Sequence, residues 1–234
     1  MKIAVMQPYV FPYIGYFQLI QAVDIFVFYD DVNFIKKGYI NKNYILTNGV
    51  KSPFKIPCKK ISQNKTIKDT FLFFDAKSKL KFLKTIEQAY HRAPFFYEFY
   101  PRLKQFILDD SYKTISAFAI GSVQFIADYL SMKCKWIVSS ANYADSLSLK
   151  KEQRIIHIAK VEGASTYINA IGGIDLYNKK DFEKHQLDLT FIKSSFVEYK
   201  QFNHDFVPWL SIIDVLMFNS LIEVQSLLNA YELI

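Results

Sequence analysis

The spacing of hydrophobic residues changes several times along the chain, and each change predicts a different element. Short apolar runs at 2–6 and 25–29, rich in β-branched and aromatic residues, predict strands that are buried on both faces. Between about 33 and 74 the apolar stretches are short and are broken by glycine and proline. Asn48-Gly49 in this region is a strong hairpin signal, because both residues tolerate the left-handed backbone of a two-residue turn. We therefore expect a β-hairpin insert after the second strand.

Outside the insert, strands and helices alternate. Further strands are predicted at 135–138, 165–168 and 187–192. Apolar residues at three- and four-residue spacing predict helices at 14–23, from 76 to about 90, and at 95–108, 113–130, 149–161, 175–185, 211–218 and 220–231. This alternation favours a parallel sheet with helices on both faces. The predicted fold is α/β, a Rossmann-like, mostly parallel sheet with a β-hairpin insert, in one domain over 1–234.

Charge is distributed unevenly along the chain. Residues 36–84 hold 13 lysines against Asp69 and Asp75, a local excess of +11, so the remaining residues carry a net −4 within the overall +7. The hairpin insert is therefore basic, which favours an acidic ligand or partner. Nucleic acid, a nucleotide-linked metabolite, an acidic carrier protein and an anionic membrane surface are the candidates. A merely solvated, lysine-rich face would give the same pattern.

Several classes of protein are not favoured. With only three arginines and no nucleic-acid recognition motif, we expect no nucleic-acid partner. No run of about 18 apolar residues occurs, so we expect no membrane span. Cys58 and Cys134 form no C-x-x-C motif, and the first residues, MKIAVMQPYVFPY, lack the uninterrupted apolar stretch of a signal peptide. We expect a cytoplasmic protein without a structural metal, since no histidine or cysteine residues have metal-ligand spacing.

The loop after the first predicted strand is the strongest candidate for a ligand site. It carries Gln7, Tyr9, Tyr13 and Tyr16, with prolines between them, and leads into a helix. It resembles the H-x-G-H loop of Rossmann-like nucleotidyltransferases, in which histidines and a helix N-terminus face phosphate groups. Tyrosines replace the histidines here; they donate hydrogen bonds, but a pKa of about 10 makes them poor proton carriers at neutral pH. We predict a ligand-binding loop, the alternative being a stiff loop packed beneath the sheet.

Polar residues after other predicted strands would lie near this loop, because parallel strands share one carboxyl edge. Asp30, before Asp31, could bind a metal weakly, a ribose hydroxyl or a substrate ammonium. His204, beside Asp205, is the best candidate for a general base. The predicted catalytic residues are Asp30, His204 and Tyr16. The predicted substrate-binding residues are Gln7, Tyr9, Tyr13, Lys36, Lys37, Asn41, Lys42, Asn43, Ser139, Ser140, Arg154, Asn169, Gly172 and Gly173.

The loop belongs to a longer series of motifs. They occupy the segments 6–20, 24–31, 38–43, 167–169 and 210–214. These motifs resemble those of the WbqC-like family over nearly the whole chain. The sequence departs from the family pattern at Tyr39 and Lys42, where tryptophan and arginine are usual. Lysine lacks the bidentate fork of arginine, so a forked contact is not expected from Lys42.

The resemblance implies a cytoplasmic transferase of bacterial surface-polysaccharide synthesis, of the O-antigen type. It implies acyl or aminoacyl transfer to the amine of a nucleotide-linked amino sugar, with coenzyme A or an acidic acyl carrier protein as the thioester donor. Two alternatives stay open. One is a nucleotidyltransferase-like or adenylate-forming enzyme that uses ATP and Mg²⁺ at Asp30. The other is a non-catalytic module that binds an anionic metabolite or a carrier protein.

Overall fold

The computed structural model describes residues 1–203 and 205–234. The strands in this part of the chain are β1 (Lys2–Met6), β2 (Ile25–Phe28), β3 (Lys42–Thr47), β4 (Val50–Lys55), β5 (Lys135–Val138), β6 (Thr166–Ala170), β7 (Asp188–Ser194) and β8 (Tyr231–Leu233). The α-helices are α1 (Ile14–Gln21), α2 (Ala76–Tyr90), α3 (Phe96–Leu108), α4 (Ile115–Tyr129), α5 (Ser139–Asn142), α6 (Glu152–Val161), α7 (Lys179–Glu183), α8 (Ile212–Phe218) and α9 (Leu221–Leu228). Short 3₁₀ helices occupy Ala144–Ser146 and Ile171–Leu176.

Six strands form one sheet in the order β5-β2-β1-β6-β7-β8. Neighbouring strands pair in parallel, except for β7 and β8, which are antiparallel. Numbered along the chain, these six strands have the 3-2-1-4-5-6 order of the Rossmann fold, so the order reverses between β1 and β6. Ligands of such sheets bind at this switch point, beyond the carboxyl ends of the strands. The predicted mostly parallel, Rossmann-like sheet is confirmed.

Each face of the sheet has its own hydrophobic core, because successive residues of a strand point to opposite faces. In β1, Ile3 and Val5 pack on one face with residues of α6 and α7. Ala4, between them, packs on the other face with residues of α1 to α4, α8 and α9. The residues of β2 alternate in the same way. Helices therefore cover both faces, as the uninterrupted apolar runs predict.

The insert contains the predicted hairpin, formed by the antiparallel pair β3 and β4. Its turn residues Asn48 and Gly49 have φ angles of 51° and 77°, the left-handed conformations of a type I′ turn. The Leu46 N–H donates to the hydroxyl of Tyr90 in α2 at 2.9 Å. The basic hairpin is thus a confirmed part of the fold and is tied to the helical layer.

In two places the structure departs from a predicted continuous helix. The predicted helix 220–231 is wrong in its last residues: α9 ends at Leu228, and β8 begins at Tyr231 because it gives the edge of β7 its hydrogen-bonding partner. The predicted helix 175–185 is broken, because the side chain of Asn178 accepts from the Lys180 N–H at 3.0 Å and starts α7 there.

Candidate functional site

The loop between β1 and α1 lies at the carboxyl end of the central strand and brings together Tyr9, Tyr13 and Tyr39, which we call the tyrosine cluster. The ring centroids of Tyr9 and Tyr39 are 6.0 Å apart. Burial, with a smaller effect from the other two phenols, raises the pKa of Tyr9 to about 12, and burial also raises the pKa of Tyr13. None of the three hydroxyls has a hydrogen-bond partner among the described residues. Tyr9 and Tyr13 are therefore protonated at neutral pH and available as donors.

Distant residues fix the backbone of this loop. Asn43 Nδ2 and the Ser211 hydroxyl both donate to the Phe11 carbonyl at 2.7 Å. Phe11 has a φ of 40°, a left-handed conformation that bulky residues rarely adopt. The Tyr16 hydroxyl donates to the Gln7 carbonyl at 2.9 Å. Of the predicted site residues, Asn43 and Tyr16 therefore hold the loop backbone in place by donating hydrogen bonds to its carbonyl groups.

Asp30, predicted to act in catalysis, lies at the end of β2 in a buried network of hydroxyls. Its Oδ1 accepts from the Ser140 N–H at 3.1 Å, and its Oδ2 accepts from the hydroxyls of Ser140 and Ser116, each at 3.0 Å. The Ser139 hydroxyl lies 3.3 Å from Oδ1. The structure thus brings Asp30, Ser139 and Ser140 together, but hydrogen bonds within the protein already occupy both carboxylate oxygens.

Arg154 reaches the same network from α6 and pairs with Asp31. Its NH1 and NH2 atoms donate to the two carboxylate oxygens of Asp31 at 3.0 and 2.5 Å, which is a bidentate pair. Its Nε donates to Ser146 at 3.0 Å, and the guanidinium lies 4.9 Å from the ring centroid of Tyr29. Arg154 is 3% exposed and Asp31 is 7% exposed. This pair joins the end of β2 to α6.

The predicted residues after β6 pack against one another. Asn169 Oδ1 accepts from the Ala170 N–H at 2.9 Å, and a side chain at Gly173 would overlap Asn169 Nδ2. A side chain at 173 would therefore have to displace the amide of Asn169. Gly172 is exposed, and space around it is open.

The polar residues of the insert occupy different environments. Lys36 and Lys37 are exposed in the turn just before Tyr39. The amine of Lys42 lies 5.9 Å from the ring centroid of Tyr44, and Asn41 Nδ2 donates to the Ile56 carbonyl at 2.9 Å. Asn41 therefore supports the hairpin, whereas Lys36 and Lys37 are accessible beside the tyrosine cluster.

The three predicted catalytic residues do not form one constellation in the described residues. Asp30 is bound by hydroxyls, and Tyr16 is buried with a pKa well above its usual value because of that burial. His204 lies outside the described residues. Their catalytic roles stay predictions.

The structure contains a second buried polar cluster, which sequence reasoning missed. Asp214 in α8 accepts hydrogen bonds from the hydroxyls of Tyr90 and Tyr199 at 2.7 and 2.6 Å and from Gln201 Nε2 at 2.7 Å. Burial raises the pKa of Asp214 to about 6, although these three donors oppose the shift. The available signal was a lone carboxylate within the apolar run LSIIDVLMF.

Beside this cluster lies a narrow pocket, which we call the aromatic pocket. It lies between the start of α1, the end of β7 and residues of 195–199 and 206–210, so it opens at the carboxyl edge of the sheet. Its polar lining includes Ser194 and Ser195. Its aromatic lining consists of Tyr13, Phe196, Tyr199, Phe206 and Trp209. Of these residues, sequence analysis singled out Tyr13 alone.

Two further observations concern metals and membranes. Within 1–203 and 205–234, no three His, Cys, Asp or Glu side chains are grouped so that they could hold a metal ion. Among those residues, none of the helices combines the length and the apolar character needed to cross a bilayer.

Strand order and the loop at the switch point define a Rossmann-type α/β protein with polar side chains at the carboxyl ends of its central strands. The WbqC-like protein family model matches residues 7–226, so this chain belongs to the WbqC-like family. The chain is also similar to the uncharacterized protein Rv1507c of Mycobacterium tuberculosis, with 26% identity over 217 residues, or 92% of each chain. No solved structure matches the chain.

Proposed function

We propose that this protein is a transferase of bacterial surface-glycan synthesis, which moves an acyl or aminoacyl group onto the amine of a nucleotide-linked amino sugar. The observation that carries the proposal is the tyrosine cluster, a set of available phenol donors at the switch point of a Rossmann-type sheet. Membership of the WbqC-like family supports the role in glycan synthesis that the sequence motifs imply. The accessible lysines beside the cluster favour a substrate that carries phosphate.

The proposed acyl transfer depends on hydrogen-bond donors to the reacting carbonyl oxygen more than on a buried carboxylic acid. When the sugar nitrogen bonds to the carbonyl carbon of a thioester, the carbonyl oxygen becomes negative, and preorganised donors stabilise that charge. As the carbon–sulfur bond breaks, the departing thiolate takes up the proton that the nitrogen loses. The products are an amide and a free thiol. Because the pKa of Tyr9 is about 12, its hydroxyl remains a donor throughout the physiological pH range.

This proposal predicts turnover that depends on a phenol hydroxyl. Purified protein mixed with UDP- or dTDP-linked amino sugar and acyl-coenzyme A or acyl carrier protein should release thiol and increase the mass of the sugar nucleotide by one acyl group. Tyr9→Phe should lower the rate about tenfold or more, since a hydrogen bond to a charged group contributes about 1.5 to 3 kcal/mol. Thiol release measures the rate, and mass spectrometry measures the acyl group added to the sugar nucleotide.

Tyr97→Phe is the matched control, because Tyr97 is 80% exposed on α3 and should not affect the rate. The proposal is wrong if no combination of amino sugar nucleotide and thioester yields product, or if Tyr9→Phe and Tyr97→Phe retain equal rates.

A second candidate function is a non-catalytic binding module. It is favoured by one observation: the ionisable groups nearest the strand ends, Asp30, Asp31 and Arg154, are occupied by partners within the protein. In that case, a nucleotide sugar binds without turnover. The assay above distinguishes the two candidates when it is paired with a binding measurement.

The insert lysines give a separate prediction about binding. Replacing Lys36, Lys37 and Lys42 by glutamine should weaken nucleotide-sugar binding by about 1 kcal/mol or more for each lysine that contacts a phosphate. The same change at Lys77 and Lys81, which are exposed on α2, should have little effect because charges are screened over about 8 Å at 0.15 M salt. Calorimetric titration at that salt concentration compares the nucleotide-sugar affinities of the two sets of variants. Equal, small effects from both sets would show that the insert is only a solvated surface.

A further inference from the structure

Trp209 has an unusual backbone conformation at the mouth of the aromatic pocket. Its φ is 59°, a left-handed conformation that is unfavourable for a bulky residue. Trp209 is 54% exposed, so about half of the residue is open to a ligand. Packing within the protein therefore leaves the exposed part of the indole unexplained.

The residues that follow Trp209 hold this conformation in place. Leu210 is buried, and the Ser211 N–H donates to the Tyr44 carbonyl at 2.8 Å. The Ile212 N–H donates to the Pro12 carbonyl at 2.9 Å. Strained residues of this kind persist where the surrounding structure over-determines them, and they are concentrated at ligand sites.

The lining of the pocket indicates the kind of ligand. Trp209 and Tyr13 meet edge to face, with centroids 5.9 Å apart, and Phe196 is 58% exposed on the same pocket. Ser194 and Ser195 also line it, and the hydroxyl of neither residue has a hydrogen-bond partner within 1–203 and 205–234. A flat ring that carries hydrogen-bonding atoms satisfies both features, because aromatic side chains stack on the ring while hydroxyls bind its edge.

We propose that the aromatic pocket binds the nucleobase of a nucleotide, with the base stacked on Trp209 and its edge facing Ser194 and Ser195. This inference rests on the proposed function for the presence of a nucleotide, and it assigns the base to a site of its own. Tyr13 belongs to both the pocket and the tyrosine cluster, so a base in the pocket directs the attached phosphates towards the loop after β1. The base could come from the sugar nucleotide or from the adenine of coenzyme A or ATP.

The fluorescence of Trp209 reports ligand binding in the test. The chain has two tryptophans, and Trp136 is stacked on Phe28 in the core. In a Trp136→Phe variant all tryptophan emission therefore comes from Trp209. UMP, dTMP, GMP and AMP are titrated separately, with ribose 5-phosphate as the ligand that lacks a base. At least one nucleotide should quench the emission and bind tenfold or more tightly than ribose 5-phosphate. Preference for AMP assigns the base to coenzyme A or ATP; preference for another nucleotide assigns it to the sugar donor.

Variants at the pocket separate binding from folding. In the wild-type background, calorimetry should show at least tenfold weaker binding for Trp209→Gly, and near-normal binding for Trp209→Phe. Glycine tolerates the left-handed backbone, which offsets part of the lost packing, so Trp209→Gly should remain folded at the temperature of the titration, as a thermal melt will show. Phe196→Ala tests the opposite wall and should also weaken binding, whereas Tyr97→Ala should not.

Two results would overturn the inference: ribose 5-phosphate binding as tightly as every nucleotide, or Trp209→Gly and Phe196→Ala both binding as tightly as wild type. Different results would contradict this inference and the proposed function. If acyl transfer continues unchanged in Trp209→Gly, the base site is wrong and the transferase stands. If nucleotides bind at Trp209 but no amide forms, the base site stands and the transferase is wrong.

Discussion

Arg154→Ala should destabilise the protein by about 3 to 5 kcal/mol, because it leaves the buried carboxylate of Asp31 without its partner. Both side chains are almost fully buried, and the pair is bidentate. The carboxylate would keep one hydrogen bond, from the Ser139 hydroxyl at 2.7 Å. For a chain of this length, the melting temperature should fall by about 6 to 20 °C. Chemical denaturation and thermal melts measure the two changes.

Lys193→Ala is the matched control for burial. Lys193 and Glu232 also form an ion pair, with Nζ and Oε1 2.7 Å apart, but their side chains are 57% and 55% exposed. Solvent screens such a pair, so its loss should change stability by less than about 1 kcal/mol. A second variant, Asp31→Leu with Arg154→Met, removes both charges and should be more stable than Arg154→Ala alone. If Arg154→Ala and Lys193→Ala have equal small effects, the buried pair does not stabilise the junction of β2 and α6.

Asp214 should make the protein less stable as pH rises from about 4 to 6. The unfolded carboxyl group releases its proton near its ordinary pKa, whereas the folded group holds it until about 6. Between those values the folded state binds more protons, so the free energy of unfolding falls as pH rises, and the contribution becomes constant above about pH 7. A pKa difference of about two units corresponds to roughly 3 kcal/mol.

Asp214→Asn isolates this effect, because the amide has nearly the same shape and does not titrate. The variant is expected to be less stable, since an amide has one acceptor oxygen and at least one of the three donors to Asp214 would lose its acceptor. The informative quantity is the slope of stability against pH in urea denaturation. Wild type should lose about 2 kcal/mol more than the variant between pH 4 and 6, and most of the remainder by pH 7. Parallel curves would show that Asp214 keeps an ordinary pKa.

Local sequence patterns predicted the strands and the hairpin well, because these features depend on neighbouring residues. The bounds of β1 and β5 match their predictions, and Asn48-Gly49 forms the expected turn. The last strand was missed because its formation depends on pairing with β7, from Ile192–Leu233 to Ser194–Tyr231, and not on a pattern of its own.

The candidate site was predicted in part. The rule that parallel strands share a carboxyl edge correctly brought Asp30 and Ser139 together, although they lie far apart in sequence. It could not show that serine hydroxyls and Arg154 would hydrogen-bond to the carboxylates of Asp30 and Asp31, since those bonds depend on side-chain geometry. The aromatic pocket was missed because the segment 195–210 has no hydrophobic period, and its shape follows from contacts with α1 and α8.

The central position of β1 has a consequence for synthesis of the chain. One neighbour, β2, follows within the first 28 residues, but the other, β6, begins at residue 166. At about 5 to 20 residues per second, a ribosome makes the 164 residues between the starts of β1 and β6 in roughly 8 to 33 s. During that time the central strand has an open edge, and open edges can pair with other chains. The main sheet is therefore completed only late in translation, and a nascent chain stalled before residue 166 leaves one edge of the central strand unpaired.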